Sequence, residues 1–204
     1  MRPSRRIHCT DFPCKDVDHA AYIVPGIEVD PARVSVVLIS EAAPADPADN
    51  YYARGDPLYQ QTTVLAFRDA GVEVESIADI VARGVYLTTA VKCGKTAYAV
   101  APATIAACSA LLEQELALFP HTKALLLMGD VAIQAVNRIA KRAGEPRVIP
   151  AGSTYKIRGK PYAFRGARTL PSYLQAGPSF FIEKSKRRMI AEDIRQAMRI
   201  AGRS

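Results

Sequence analysis

A single carboxylate stands where the chain leaves its most apolar stretch. Ser40 and Glu41 directly follow the run Val34–Ile39, which is rich in β-branched residues. Such a run is typical of a central strand in a parallel sheet, and ligands bind just beyond the carboxyl ends of these strands. Glu41 is therefore a candidate for activating water or stabilising a positive charge. The alternative is that Glu41 only caps the loop that follows.

Four cysteines form the second candidate for chemistry. Cys9 and Cys14 make a C-x4-C pair, and Cys93 and Cys108 lie near the middle of the chain. Thiolates are soft ligands, and four of them suit an iron–sulfur cluster or a tetrahedral zinc ion. The basic N-terminus has no apolar core, which predicts a cytoplasmic protein, where disulfides are rare. The alternative is that Cys93 and Cys108 are small buried hydrophobic residues and the other two are free thiols.

Strands and helices alternate along the sequence. The predicted core strands are short apolar runs that end in polar residues: Val34–Ile39, Val85–Val91, Lys123–Met128 and Arg168–Leu170. The clearest helices have apolar residues at three- and four-residue spacing: Pro102–Phe119, the segment from Asp130 to about Arg142, and Ser179–Ala201. This alternation predicts a three-layer α/β/α sandwich with a mainly parallel core sheet of about four strands.

The carboxyl ends of the predicted strands carry polar residues. Ser40-Glu41, Lys92-Cys93, Gly129-Asp130 and the loop Thr169–Ser172 follow the four strands in turn. Because parallel strands end at the same edge of a sheet, these segments are predicted to converge on one cleft. Gly129, at a strand-to-helix turn, would present backbone N–H groups at a helix N-terminus, which suits an anion.

The length of 204 residues fits one domain, 1–204, with an irregular cysteine-bearing arm at 1–32 and an insertion or hairpin at 143–168. Within the insertion, short strands or a hairpin are predicted at Arg147–Ile149, Thr154–Ile157 and Tyr162–Phe164, around a turn at Arg158-Gly159-Lys160. No apolar run approaches the roughly 18 residues of a membrane span, so no membrane partner is expected. The net charge of +7 favours a polyanionic partner, because lysine and arginine release counterions from phosphates.

Four motifs carry a resemblance to a known family. VLISEAAP, GVYLTTAVKCGKT, LLLMGDVAIQAV and TLPSYL stand in the order and spacing of the uracil-DNA glycosylase superfamily, and the chain most resembles its iron–sulfur-containing family 4 branch. The resemblance runs from Cys9 to the last helix. It implies a DNA glycosylase that hydrolyses the N-glycosidic bond of uracil or another deaminated or damaged base. It also implies that Cys9, Cys14, Cys93 and Cys108 hold a structural [4Fe-4S] cluster.

The chain departs from the family pattern at two motif positions. The family's uracil-reading Asn falls on Thr89, which offers one hydroxyl, and its last-motif His falls on Leu170, which offers no donor. Glu41 is retained as the water-activating or charge-stabilising carboxylate. The predicted substitute that meets the departing base is Ser172 itself or the backbone N–H groups of the Pro171-Ser172 loop. The predicted substrate-binding residues are those at the matching motif positions: Ala42, Leu58, Tyr59, Thr89 and Leu170.

The predicted partner is DNA, single- or double-stranded. The predicted DNA contacts are basic residues of the insertion and of the start of the last helix: Arg158, Lys160, Lys186, Arg187 and Arg188. For each of them the alternative is a solvated cationic surface. Two other functions stay open. One is a non-catalytic nucleic-acid-binding relative that has lost the base-excision residues, and the other is a hydrolase of nucleotides or modified bases outside duplex DNA.

Overall fold

A computed structural model describes residues 1–203 of the protein. Ser204, the last residue of the predicted domain, lies outside the described residues. The described residues form six strands: β1 (Val17–Asp18), β2 (Val36–Ala43), β3 (Val85–Lys95), β4 (Ala124–Met128), β5 (Tyr162–Phe164) and β6 (Ala167–Ser172). Residues 1–203 also form seven α-helices: α1 (Leu58–Asp69), α2 (Ile77–Ala82), α3 (Pro102–Leu116), α4 (Asp130–Arg142), α5 (Thr154–Ile157), α6 (Ser179–Ile182) and α7 (Lys184–Ala201).

The strands form one sheet in the order β1-β3-β2-β4-β6-β5. The four central strands are parallel, and the short strands β1 and β5 pair antiparallel at the two edges. In register, Val36 of β2 lies opposite Val85 of β3 and Ala124 of β4. The predicted fold class is confirmed, and the predicted core of about four strands is extended by two edge strands.

Helices cover both faces of the sheet, which is why the central strands are apolar on both sides. Val36–Ile39 of β2 is fully buried, as is most of β4. On one face the core includes Ile105 of α3 and Ile139 of α4. On the other face it includes Phe67 of α1 and Ile194 of α7. All four parallel strands therefore end at one edge of a covered sheet, where a ligand can enter.

The predicted turn at Arg158-Gly159-Lys160 is wrong. Residues Thr154–Ile157 form a helical turn, and the hairpin joins β5 to β6 through Arg165 and Gly166. These two residues have φ values of 48° and 83°. Positive φ at both positions is typical of a type I′ two-residue loop, whose twist matches that of the flanking strands. The predicted last helix is also divided, because Glu183 leaves helical geometry between α6 and α7.

The N-terminal arm is docked onto the domain. Besides irregular chain it contains β1 and two 3-10 helices, Pro3–Arg5 and His19–Ala21. The Asp16 carboxylate accepts hydrogen bonds from Thr104 and from the Ala101 N–H (2.6 Å) at the start of α3, which lower its pKa. Among residues 1–203, no helix combines the length and apolar character needed to cross a membrane.

Candidate active site

Glu41 lies at the carboxyl end of β2, inside the strand rather than one residue beyond it. Its side chain is 18% exposed, and its Oε2 lies 3.4 Å from Lys95 Nζ at the end of β3. Both side chains line a cleft of about 640 Å³, together with Tyr98 after β3, Gly129 after β4 and Tyr173 after β6. A second, adjoining cleft of about 470 Å³ shares Glu41 and Lys95. The carboxylate thus stands at the centre of the surface predicted from the strand ends.

Gly129 holds Glu41 in place from the other side. A Cβ on Gly129 would lie 2.5 Å from Glu41 Oε1, and the φ of +98° is unfavourable for any L-residue. Gly129 precedes α4, so the Glu41 carboxylate lies close to the N-terminus of that helix. The partial positive charge of a helix N-terminus favours a carboxylate. Glu41 therefore lies beside the turn at which an anion position is predicted, while the Gly129 N–H itself donates to the Ser172 carbonyl.

The predicted base-reading position is closed. Thr89 donates its hydroxyl to the Val91 carbonyl (2.9 Å) and borders a cavity of only about 20 Å³. The rings of Tyr51, Tyr52 and Tyr59 fill the space beside it. A cavity of this size accommodates one water molecule and not a base. The direct contact between Thr89 and a base stays a prediction, and it would require these rings to move.

A buried polar network holds the tyrosines in place. Tyr51 Oη is hydrogen-bonded to Ser40 Oγ and accepts from Gln175 Nε2 at 2.6 Å. Tyr59 packs edge-on against Tyr51, with ring centroids 4.8 Å apart. Buried and hydrogen-bonded hydroxyls of this kind are costly to displace. Burial raises the pKa of Tyr59 to about 12, so it stays neutral.

Three of the other predicted site residues line a cleft, whereas Leu170 and Ser172 are buried. Ala42, Leu58 and Tyr59 border the adjoining cleft beside Glu41. Leu170 is buried in the core opposite Leu126. Ser172 is also buried, and its hydroxyl donates to Asp193 Oδ2 at 2.6 Å. Contacts of Leu170 and Ser172 with a base stay predictions, and the hydroxyl of Ser172 is directed to α7.

Ser172 is nevertheless connected to Glu41 through the backbone. Its carbonyl accepts the Gly129 N–H at 3.0 Å, and its hydroxyl is bonded to Asp193, which also binds the Arg158 guanidinium at 2.9 and 3.2 Å. Desolvation raises the pKa of Asp193, against the effects of Arg158 and Ser172. The hydrogen bonds among Arg158, Asp193 and Ser172 therefore hold the Gly129 turn, which contacts Glu41, in position.

Two cleft residues, Lys95 and Tyr98, were missed by the sequence prediction. Lys95 ends β3, so the strand-end rule that selected Glu41 also applies to it. Tyr98 follows in the next loop and is 97% exposed, with its ring centroid 5.6 Å from Lys95 Nζ. No periodicity marks a loop residue of this kind, so only the aromatic type next to a strand end could have singled it out.

A family comparison agrees with this geometry. The model of the uracil DNA glycosylase superfamily matches residues 28–193, which is more than three quarters of the chain and includes Glu41, Lys95 and Gly129. The chain belongs to the uracil-DNA glycosylase superfamily. No curated protein sequence matches the chain significantly. The superfamily match begins after Cys9 and Cys14, so it does not distinguish the iron–sulfur branch.

The four cysteines of this superfamily member lie near one another. Cys14, Cys93 and Cys108 are buried in one core cluster, and Cys9 is half-buried. Burial raises the pKa of Cys93 to about 12 and that of Cys108 to about 11, and the charges of the other cysteines add to both shifts. Four cysteine sulfurs are the donor type that an iron–sulfur cluster needs. Among residues 1–203, no three His, Cys, Asp or Glu side chains are arranged as metal ligands.

A buried ion pair supports the second family motif. Lys92 and Glu115 are both 0% exposed and are bonded to each other. Lys92 Nζ also donates to Thr88 Oγ1 at 2.7 Å and to the Thr89 carbonyl, and Tyr86 donates to Glu115 at 2.6 Å. The pair therefore fixes the end of β3 that carries Thr89 and Lys95. Glu115 was visible in the sequence as a charge among the apolar positions of α3.

The predicted DNA-binding cations differ in how closely each is paired with a carboxylate of the protein. Arg158 binds Asp193 and Glu192, and Arg187 forms a two-pronged pair with Asp69. Lys186 pairs with Glu183 and lies 5.5 Å from the Tyr173 ring centroid. Lys160 and Arg188 are exposed, and Arg188 is 3.8 Å from Glu192. DNA contacts by all five stay predictions, and those of Arg158 and Arg187 would compete with existing pairs.

Proposed function

We propose that the protein is a DNA glycosylase that hydrolyses the N-glycosidic bond of uracil or another deaminated or damaged base in base excision repair. The observation that carries the proposal is the position of Glu41. It is fixed between Lys95 and Gly129 at a helix N-terminus, and it faces a cleft large enough for a nucleotide. Superfamily membership supports DNA as the substrate.

The proposed reaction uses both charged groups of the cleft. The bond between C1′ and the base breaks with its electron pair leaving on the base, and a water oxygen bonds to C1′. Glu41 accepts the proton of that water and balances the positive charge that develops on the sugar. Lys95, whose ammonium has three N–H donors, donates one hydrogen bond to the departing base. Leu170 offers no donor at its position, and the Ser172 hydroxyl is bonded to Asp193.

The experiment that tests this function is a panel of oligonucleotides, each carrying uracil, hypoxanthine, xanthine or 5-hydroxymethyluracil. Excision leaves an abasic site, which alkali converts to a strand break. We expect breaks at the modified position for at least one base. No break with any of the four would contradict the proposal for this substrate class.

A second candidate, a nucleic-acid-binding relative without excision, is favoured by one observation. The cavity beside Thr89 is about 20 Å³ and is closed by tyrosines, so the usual route of base reading is unavailable in this conformation. In the excising protein, the base must instead bind in the open cleft beside Glu41. The oligonucleotide panel separates the two candidates, because a pure binding protein retains DNA without forming abasic sites.

Substitution of Gly129 tests whether the placement of Glu41 matters. Gly129→Ala introduces both positive-φ strain and a collision with Glu41, whereas Gly144→Ala, at the other end of α4, introduces the strain alone. We expect both variants to lose about 1–3 kcal/mol of stability in urea unfolding. Only Gly129→Ala should lose excision, by about tenfold or more, because it displaces the carboxylate. Equal loss of excision in the two variants would contradict this placement.

We also propose that the protein belongs to the iron–sulfur branch, and that Cys9, Cys14, Cys93 and Cys108 hold a [4Fe-4S] cluster. The support is the presence of four cysteines, three of them buried in the same part of the core, where burial and the charges of the other cysteines raise the pKa of Cys93 and Cys108. The cluster would supply cross-links between the arm and the domain. We also propose a cytoplasmic location, where cysteines stay reduced and can serve as metal ligands.

Removal of one ligand tests the cluster. Anaerobically purified protein is expected to be brown, with broad absorbance near roughly 400 nm from thiolate-bound iron. Cys108→Ser should lower the iron content and the melting temperature before it affects any catalytic step. Colourless wild-type protein without iron or zinc by elemental analysis would contradict the proposal.

A further inference from the structure

Tyr98 is the most exposed large apolar side chain of the described residues. It is 97% exposed, whereas most tyrosines of the protein are buried or half-buried. Its ring borders both clefts beside Glu41, and Lys95 Nζ lies 5.6 Å from the ring centroid. A lysine at this distance interacts favourably with the aromatic face. The rest of the ring is open to a ligand.

The opposite wall of the cleft repeats the arrangement. Tyr173, directly after β6, lines the same 640 Å³ cleft, and Lys186 Nζ lies 5.5 Å from its ring centroid. Because β3 and β6 flank β2 and β4 in the sheet, the two lysine–tyrosine pairs lie on the two sides of Glu41 along the strand ends. Each pair combines a surface on which a base can stack with a cation that can reach the adjacent phosphate.

The charges of the cleft do not by themselves explain DNA binding. Its lining contains as many carboxylates as cations: Glu41, Asp130 and Glu183 against Lys95, Lys186 and Arg187. The cations are already paired, Lys95 with Glu41, Lys186 with Glu183 and Arg187 with Asp69. Partly exposed pairs such as Lys95–Glu41 and Lys186–Glu183 are weak enough for a phosphate to compete for the lysine. Stacking on the tyrosines must therefore supply a large share of the affinity.

We propose that the cleft binds single-stranded DNA, with bases stacked on Tyr98 and Tyr173 and phosphates beside Lys95 and Lys186. This inference rests on the proposed function and specifies its substrate class. Base faces are accessible in a single strand, whereas in a duplex they are stacked on each other and cannot reach the rings. Because the cleft has as many carboxylates as cations, it neutralises little of the phosphate charge of a duplex.

Binding of unmodified DNA tests the inference separately from excision. Fluorescence anisotropy would compare a short thymidine strand, a duplex of equal length, a strand of abasic nucleotides and the corresponding RNA strand. We expect the single DNA strand to bind at least tenfold more tightly than the duplex and the abasic strand, and more tightly than the RNA. The slope of log affinity against log salt should be about −1.4, since two phosphates each contribute about −0.7.

Substitution of Tyr98 identifies the stacking surface. Tyr98→Ala should weaken binding of the single strand by about tenfold, within a range of about 5- to 100-fold, and leave duplex binding unchanged. Tyr98→Phe keeps the ring and should stay within about twofold of wild type. Tyr155→Ala is the matched control, because Tyr155 is 71% exposed and does not line the cleft. It should bind like wild type.

Several results would overturn the inference. One is that the duplex, the RNA strand or the abasic strand binds as tightly as the single DNA strand. Another is that Tyr98→Ala binds the single strand with unchanged affinity. A third is that Tyr155→Ala loses as much affinity as Tyr98→Ala. Because none of these strands contains an excisable base, failure of the glycosylase proposal leaves this measurement intact. Conversely, base excision together with duplex binding as tight as single-strand binding would support the proposed function and contradict the single-strand inference.

Discussion

Glu41→Gln is expected to lower base excision by about 10²-fold or more, the scale of a positioned acid–base or electrostatic group. Glutamine keeps the shape of the side chain between Lys95 and Gly129 but accepts no proton and carries no charge. The observed rate of abasic-site formation under single-turnover conditions measures the effect. Affinity for DNA should change little, because the variant keeps both tyrosine rings.

Glu183→Gln is the matched control for this variant. Glu183 lines the same cleft and is also paired with a lysine, Lys186, so the substitution removes the same charge from the same surface. It lies at the start of α7 and away from the Gly129 turn. We expect excision to stay within about threefold of wild type. A similar loss in both variants would assign the effect to the general charge of the cleft rather than to Glu41.

The second large effect is expected at the buried ion pair. Lys92→Met leaves the fully buried Glu115 carboxylate without its cation, which should lower the free energy of unfolding by about 3–5 kcal/mol. Urea unfolding followed by circular dichroism measures the loss. The double variant Lys92→Met with Glu115→Leu removes both charges and should recover most of the stability, because an apolar pair of similar volume is often neutral. Additive losses in the double variant would contradict this account.

The core of the fold could be predicted because its strands are continuous apolar runs. Val34–Ile39 and Lys123–Met128 have no charged residue within the buried part of the strand, and the structure buries both on two faces. The insertion was harder, since Gly159 and Gly166 both follow a basic residue. Only the pairing of β5 with β6 decides that the turn lies at Gly166.

The site was predictable as far as it depends on strand ends. Glu41 and Gly129 were found because each ends an apolar strand, and the structure places them in contact. The direction of the Ser172 hydroxyl depends on Asp193, twenty-one residues later in α7, and no local pattern shows it. The closure of the Thr89 cavity depends in the same way on Tyr51, which is held by Gln175 from a distant loop.

Release of the free base measures the central claim most directly. Wild-type protein in excess over a single-stranded oligonucleotide with one uracil, or with the base preferred in the panel, is sampled over time, and the free base is quantified by chromatography. We predict one free base for each abasic site formed, with the strand otherwise intact, and no comparable release by Glu41→Gln. Bound oligonucleotide with every base still attached would contradict the glycosylase function.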